Sequence, residues 1–419
     1  MLPVTPLFFL LFLLLGCHHV SAHSHASHSH GADPLADPAP GPMEEDVAEL
    51  ERKWVFEWGF SGISTFAHLP YVKCLTHPDE HFDIGIIGAP FDTAVSYRPG
   101  ARFGPRAIRA ASARQTTFRG YNPRARLNPY TSWARILDCG DIPVTPFDNA
   151  LALRQMTEAF TTLLSRPAHS SPSTTQLPPK LLTLGGDHSL ALPALRALYA
   201  VHAQPLTVLH FDAHLDTWSP DAYPSYWTTP GSQSDFTHGS MFQLAWRESL
   251  LANGSSVHAG LRTRLSGSDT HDWDDDDAQG WTRISADDLD DLGGPDAVAR
   301  SILAHIGTVR PVYLSVDIDV LDPGFAPGTG TPEPGGWSTR ELIRVLRGVE
   351  GLNVVGADIV EVSPAFDARG ETTALAAAQV GYEILSSLVR RGLQDREENE
   401  SGVEMEKQDA DGGRDRDEL

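Results

Sequence analysis

Cysteine is scarce in this chain, with 3 among 419 residues. That excludes a disulfide-dense scaffold and a thiolate zinc cluster. Basic residues are in deficit too: 32 Lys and Arg stand against 55 Asp and Glu, a formal net charge of −23. The balance argues against a nucleic-acid partner and suits a cationic one. Much of the acid nevertheless lies in Asp269–Asp277 and in the tail from Asp395, which read as solvated. The apolar run Leu7–Leu15 is too short to cross a bilayer, so no membrane span is expected in the mature chain. Internal repeats are absent.

What is present suffices for one substantial α/β core, at 41% hydrophobic content. Lys180–Leu184, Leu206–His210, Pro311–Val316 and Leu352–Gly356 read as buried parallel strands. They alternate with helical stretches such as Leu190–His202 and Thr339–Glu350. The fold class expected is α/β, a three-layer α/β/α arrangement around a central, mostly parallel sheet.

Three motifs follow these strands: GGDHS with Asp187-His188-Ser189, FDAHLD with Asp212, His214 and Asp216, and SVDIDVLDP with Asp317 and Asp319. Ligand sites in open α/β sheets lie beyond the strands' carboxyl ends. Alone, the first motif is weak, because an Asp or His there often only caps a helix. The DxHxD and DxD patterns are stronger, since alternate residues of an extended segment point the same way. Burying so many carboxylates without cations would carry a large desolvation cost. Two His and four Asp (His188, Asp212, His214, Asp216, Asp317 and Asp319) therefore converge as a metal set. Nitrogen and hard oxygen donors without thiolate favour Mn²⁺, and six ligands suit a pair of ions sharing carboxylates.

With these motifs the chain resembles the ureohydrolase family of arginases, agmatinases and related guanidino-compound hydrolases, from about Asp83 to about Val389. Ser96–Arg109, Phe325–Glu333 and Asp358–Pro364 resemble further family segments. The SYRPGARFGPRAIR and THGSMF stretches resemble agmatinases more than arginases. The resemblance implies that His188, Asp212, Asp216 and Asp317 hold one Mn²⁺ and that Asp212, His214, Asp317 and Asp319 hold the other, with Asp212 and Asp317 bridging. It also implies that His238 shuttles protons, that Glu361 grips the guanidinium and that Asp216 joins them as a catalytic carboxylate. The assembly implied is a homo-oligomer, a trimer or hexamer.

The chemistry fits those roles. A guanidinium is a poor electrophile, and two cations lower the pKa of a shared water enough to supply hydroxide near neutral pH. A carboxylate binds the planar guanidinium through paired hydrogen bonds. An imidazole delivers the proton that the leaving amine needs. Agmatine cleaved to putrescine and urea is the reaction expected. A sister enzyme acting on 4-guanidinobutyrate or another guanidino acid would need a basic residue beyond the metals, for which Arg247 is a candidate. A one-zinc deacetylase would leave His188 and one DxD carboxylate unexplained, and a non-catalytic scaffold would have lost a ligand. The aromatic segment Thr217–Pro230 either borders the substrate's far end or packs as a surface loop.

The expected organisation is a signal peptide at 1–22, a disordered His/Pro-rich segment at 23–50, the ureohydrolase domain at 51–392 and an acidic disordered tail at 393–419. Leu7–Leu15 followed by Val20-Ser21-Ala22 reads as a secretory signal without a basic start, with Leu14–Cys17 as a lesser, lipoprotein-like reading. Arg416–Leu419 looks like a variant ER-retrieval tetrapeptide. Passage through the secretory pathway, to the ER lumen or outside, is the localisation expected. The sequons at Asn253 and Asn399 are compatible with it. The tract His23–His30 is either a metal-scavenging segment or a spacer. Once Cys17 leaves, Cys74 and Cys139 either pair or leave Cys139 as core.

Overall fold

The computed structural model of the chain describes residues 47–171, 176–222 and 235–412. It divides into a first unit ending at Phe56, whose described part is helix α1 (Val47–Trp54), and a second unit beginning at Glu57. The signal, the His-rich tract, most of the aromatic segment and the terminal tetrapeptide lie outside the described residues.

Eight strands among the described residues form one sheet: β1 (Ile84–Ala89), β2 (Ile136–Asp141), β3 (Lys180–Gly185), β4 (Thr207–Phe211), β5 (Ser256–Leu261), β6 (Trp281–Ser285), β7 (Pro311–Asp317) and β8 (Asn353–Val360). Their order is β2-β1-β3-β8-β7-β4-β5-β6, and every pairing is parallel. Strands such as IGIIGA and PVYLSVD are buried along their whole length, the apolar signature of a sheet covered on both faces. After β3 the chain skips two positions to lay down β4, and β7 and β8 later fill the gap. The four central strands β3, β8, β7 and β4 thus come from distant parts of the sequence.

Helices α2 (Gly104–Ala111), α8 (Pro295–Ile306), α9 (Thr339–Gly348) and α10 (Thr372–Gly412) cover one face, with Ile108, Ile302, Leu342 and Leu385 in its core. On the other face lie α3 (Asn149–Leu164), α4 (Ala191–His202) and α5 (Met241–Arg247), contributing Phe160, Leu195 and Phe242. Helices α6 (His271–Ala278) and α7 (Asp288–Asp291) flank the β6 edge. Ser338 starts α9 with a full capping box, its side chain accepting from Glu341 N–H while the Glu341 carboxylate accepts from Ser338 N–H. This is the three-layer α/β/α fold expected, with a sheet that is wholly parallel.

Two stretches differ from the sequence reading. Helix α10 continues past residue 392 to Gly412, where a disordered tail was expected. Glu, Gln, Arg and Met are good helix formers, and Arg391 donates to Asp395 one turn on, at 2.8 Å. The acidic run Asp269–Asp277 is not wholly solvated either: it forms α6, and Asp272 and Asp276 are buried.

Cys74 and Cys139 form a disulfide that ties the turn at Cys74–Thr76 to β2, which carries Cys139 at the sheet edge. Closing a loop of this size should contribute about 2–4 kcal/mol. Under denaturing, non-reducing conditions neither thiol should alkylate, and Cys139→Ala should lower stability by that amount. Free thiols at both positions would remove the cross-link.

Candidate metal centre

The exits of the four central strands carry the chemistry. The chain turns sharply after β3, where Gly186 N–H donates to Ala89 O at 2.8 Å and Asp187 N–H to Phe91 O at 2.7 Å. No Cβ fits at Gly186, since it would stand 1.9 Å from the Phe91 carbonyl. Asp187 then caps the next turn, accepting from Ser189 N–H at 3.1 Å and Ala94 N–H at 3.0 Å. The side chain acting as a cap is Asp187, which leaves His188 to face the centre.

Nδ1 of His188 lies 3.1 Å from Asp212 Oδ2, 3.1 Å from Asp216 Oδ2 and 3.4 Å from Asp317 Oδ2. Nδ1 of His214 lies 3.1 Å from Asp212 Oδ1 and 3.1 Å from Asp319 Oδ2. All six residues expected from the motifs are therefore brought together. They form two clusters, and Asp212 gives one oxygen to each. Asp317 enters the first cluster only through Oδ2, because its Oδ1 accepts Asp319 N–H at 2.8 Å.

The supports behind these groups were not read from sequence. Nε2 of His188 lies 2.7 Å from Ser315 Oγ, which donates to Asp358 Oδ1 at 2.8 Å; Tyr313 donates to the other oxygen at 2.5 Å. Arg262 donates to the carbonyls of Asp319 and Glu333, at 2.6 and 2.7 Å, and so pins the segment after β7. His210 joins the first cluster, with Nε2 2.9 Å from Asp212 Oδ2. Its place two residues before Asp212 continues the same alternation, a signal that was present in the sequence.

Glu361, after β8, accepts His188 N–H at 2.9 Å through Oε1, and the same oxygen lies 3.0 Å from His238 Nδ1. On the other side of that ring, Nε2 accepts Ser96 N–H at 3.0 Å and lies 2.8 Å from Ser96 Oγ. A backbone N–H can only donate, so the neutral ring carries its proton on Nδ1. Asp216 and Glu361 both have left-handed backbones, at φ 57° and 59°, a conformation that costs about 1–3 kcal/mol and clusters at functional sites. His238, Asp216, His214 and Asp317 open on a cavity of about 140 Å³ that Ser96, Trp218, Gly239 and Thr331 complete. Arg247 does not reach it; its guanidinium donates to Ser219 and Asp221, each at 3.1 Å.

Electrostatics set these groups apart. Burial, then the charges of Asp319 and Asp212, pushes Asp317 well above the usual carboxylate range. Burial and the Asp212 charge raise Asp319 to about 6. Burial alone would raise Asp212 as well, but the neighbouring histidines hold it well below its ordinary value. His188 and His214 are raised despite their burial by the carboxylates around them. For His238 burial acts downward, and Glu361 more than offsets it, to about 9. Asp317 and Asp319, the carboxylates raised by burial and like charge, are ones that a divalent cation would stabilise in the ionised form.

A family model described as the arginase family matches residues 82–386. The chain belongs to the arginase family. Putative agmatinase 3 of Schizosaccharomyces pombe is 46% identical over 360 residues, which cover 84% of this chain and 86% of that protein. Putative agmatinase 1 of the same yeast is 46% identical over 337 residues, 79% and 83% of the two chains. Among solved structures, proclavaminate amidino hydrolase from Streptomyces clavuligerus superposes with a TM-score of 0.68 at 36% identity, over 80% of this chain and all of that one. The arginase-family chain is accordingly a hydrolase of the kind that acts on guanidino compounds, with a His/Asp cluster able to hold metal.

One expectation is corrected by these relatives. The secretory localisation is overturned, because the chain's matches run with the fission-yeast agmatinases across four-fifths of its length. A short apolar run and a terminal tetrapeptide, both outside the described residues, carry too little weight against them. Among the described residues no helix is long and apolar enough to cross a membrane.

The raised Asp319 has a measurable consequence. Its unfolded pKa is about 3.9, so the metal-free fold holds this proton more tightly than the unfolded chain does. That contribution to stability is lost as the pH rises through about 6. A bound divalent ion must displace the proton, so metal affinity rises over the same interval. The increase in melting temperature on adding Mn²⁺ should therefore grow between pH 5 and pH 7, and an increase that is flat across this range would contradict the assignment.

Proposed function

We propose that the chain is a ureohydrolase that uses two Mn²⁺ ions to cleave agmatine to putrescine and urea. The observation that carries this reading is the division of Asp212, with Oδ2 turned to the His188 cluster and Oδ1 to the His214 cluster. The donors fit such a pair: nitrogen and hard oxygen without thiolate, buried, with Asp317 and Asp319 raised in pKa by burial and by neighbouring carboxylates. His188, Asp212, Asp216 and Asp317 would hold one ion, and Asp212, His214, Asp317 and Asp319 the other. When bound, the pair lowers the pKa of a shared water and supplies the nucleophile.

The remaining steps fall to side chains. Glu361 commits Oε1 to the fold and to His238, which leaves Oε2, facing Gly330, to accept from a guanidinium N–H. His238 is raised to about 9 and is protonated near neutral pH, as the donor of a proton to the leaving amine should be. Its Nε2 has a partner in either state: Ser96 N–H when the ring is neutral, and Ser96 Oγ as acceptor when it is protonated. Asp216 serves as ligand and as the carboxylate between His188 and the cavity. No Lys or Arg lines that cavity among the described residues, which favours agmatine's cationic tail over a guanidino acid. A homo-oligomer, trimeric or hexameric, is the assembly proposed.

Metal analysis should find about two manganese ions per chain, whereas one tightly held zinc would support a deacetylase. Asp317→Ala should abolish turnover and lower the metal content. His238→Ala should reduce kcat about 100-fold or more and leave the metal in place, and unchanged turnover would remove it from the mechanism. Urea release from agmatine, 4-guanidinobutyrate, guanidinopropionate and arginine tests the substrate, with the highest kcat/KM expected for agmatine. Preference for a guanidino acid would overturn that choice alone.

A further inference from the structure

Beneath the carboxylate clusters a file of polar side chains leads away from Asp212, through residues that neither the proposed ligand set nor the substrate cavity uses. Asp212 Oδ2 lies 2.9 Å from His210 Nε2, and His210 Nδ1 lies 2.7 Å from His258 Nδ1. His258 Nε2 lies 3.1 Å from Asp276 Oδ1. The far end of the file is held by Thr217, whose hydroxyl donates to Asp276 Oδ1 at 2.8 Å, and by Arg283, which donates to Oδ2 at 2.7 Å. The residues come from β4, β5, α6 and β6, and His210 and His258 are direct partners in the parallel ladder. All four side chains from Asp212 to Asp276 are fully buried. The two rings are clamped, since Trp281 stacks on His258 at 4.0 Å between centroids and Phe242 meets His210 edge-on at 4.8 Å.

Counting hydrogens gives the file a direction. An ionised carboxylate only accepts, so His258 Nε2 must carry hydrogen toward Asp276, and His210 Nε2 must carry one toward Asp212. The two clamped rings are thus flanked by a carboxylate at each end, and each ring nitrogen has a polar partner.

We propose that His258 and Asp276 are positioning residues which, acting through His210, fix Oδ2 of Asp212 toward the His188 cluster so that its two oxygens serve two separate ions. This rests on the two-ion reading above. Asp212 Oδ1 is held from the other side by His214 N–H at 2.6 Å, and the file supplies the matching hold on Oδ2. Partners of this kind behind a ligand are worth roughly 10–100-fold in metal affinity. Neither residue touches substrate, so the expected effect is on metal and on kcat, and not on KM.

The test uses the full chain as wild type, His258→Phe and Asp276→Asn. Phe keeps a ring stacked on Trp281 but removes both nitrogens, and Asn keeps the shape of Asp276 without its charge. Three quantities are read: Mn²⁺ affinity by chelator competition, the electron paramagnetic resonance of the bound manganese, and urea release at saturating Mn²⁺. The proposal expects folded variants whose Mn²⁺ affinity is weaker by about 10–100-fold. It also expects a spin-coupled pair signal that gives way to that of isolated ions, a lower kcat and an unchanged KM for agmatine. Should His258→Phe fail to fold, Asp276→Asn decides. Folded variants with wild-type affinity and an intact pair signal would overturn this proposal and leave the ureohydrolase reading standing. A wild-type chain that binds no manganese pair would overturn both.

Discussion

Like charge brought out of water at one place is the constraint on which this molecule depends. Asp212, Asp216, Asp317 and Asp319 stand within a few ångströms of one another, all nearly inaccessible to solvent. His188, His210 and His214 offset them in part, and the raised values of Asp317 and Asp319 mark the charge left over. A protein interior tolerates such a concentration through paired charge, raised pKa values or a bound cation. The neighbouring structure serves to hold that repulsion in place: a glycine turn too tight for a side chain at 186, Arg262 gripping the carbonyls after β7, and left-handed backbones at Asp216 and Glu361.

Topology explains how the carboxylates meet. A sheet built in chain order would separate the exits of β3 and β8 by the strands laid down between them. Here the skip after β3 leaves two central positions to be filled last. The exits of β3, β8, β7 and β4 become neighbours, and they carry His188, Glu361, the Asp317/Asp319 pair and the Asp212–Asp216 run. Parallel strands put all four ends on the same edge, and His214, Asp216 and Asp317 from two of them line the cavity there.

Much of this was legible from sequence because the signals are local. Apolar runs mark the strands, and alternation within FDAHLD and DID marks which side chains share a direction. The supports are harder to read because they are not local. His258 matters only through its register beside His210, and no property of SVHAGL announces that pairing. Asp276 sits in a run whose composition reads as solvated surface, yet helix α6 turns one carboxylate of that run inward. The sequence reading gives Glu361 a role toward the guanidinium, and what the structure places on it is a hold, through one oxygen, on His188 N–H and His238. The tail past residue 392 reads as disordered from its charge, while helix α10 runs on to Gly412 through a stretch that includes good helix formers such as Glu, Gln and Met.

In the two-ion reading proposed above, the split carboxylate of Asp212 also ties the filling of one position to the other. The first ion to arrive takes up part of the charge on the shared anion, so the second would meet a weaker ligand and a like-charged neighbour. By reciprocity each ion would weaken the hold on its companion to the same degree. Half-filled molecules would then collect at limiting metal. Scarcity would reduce how well each copy works before it reduces how many hold an ion.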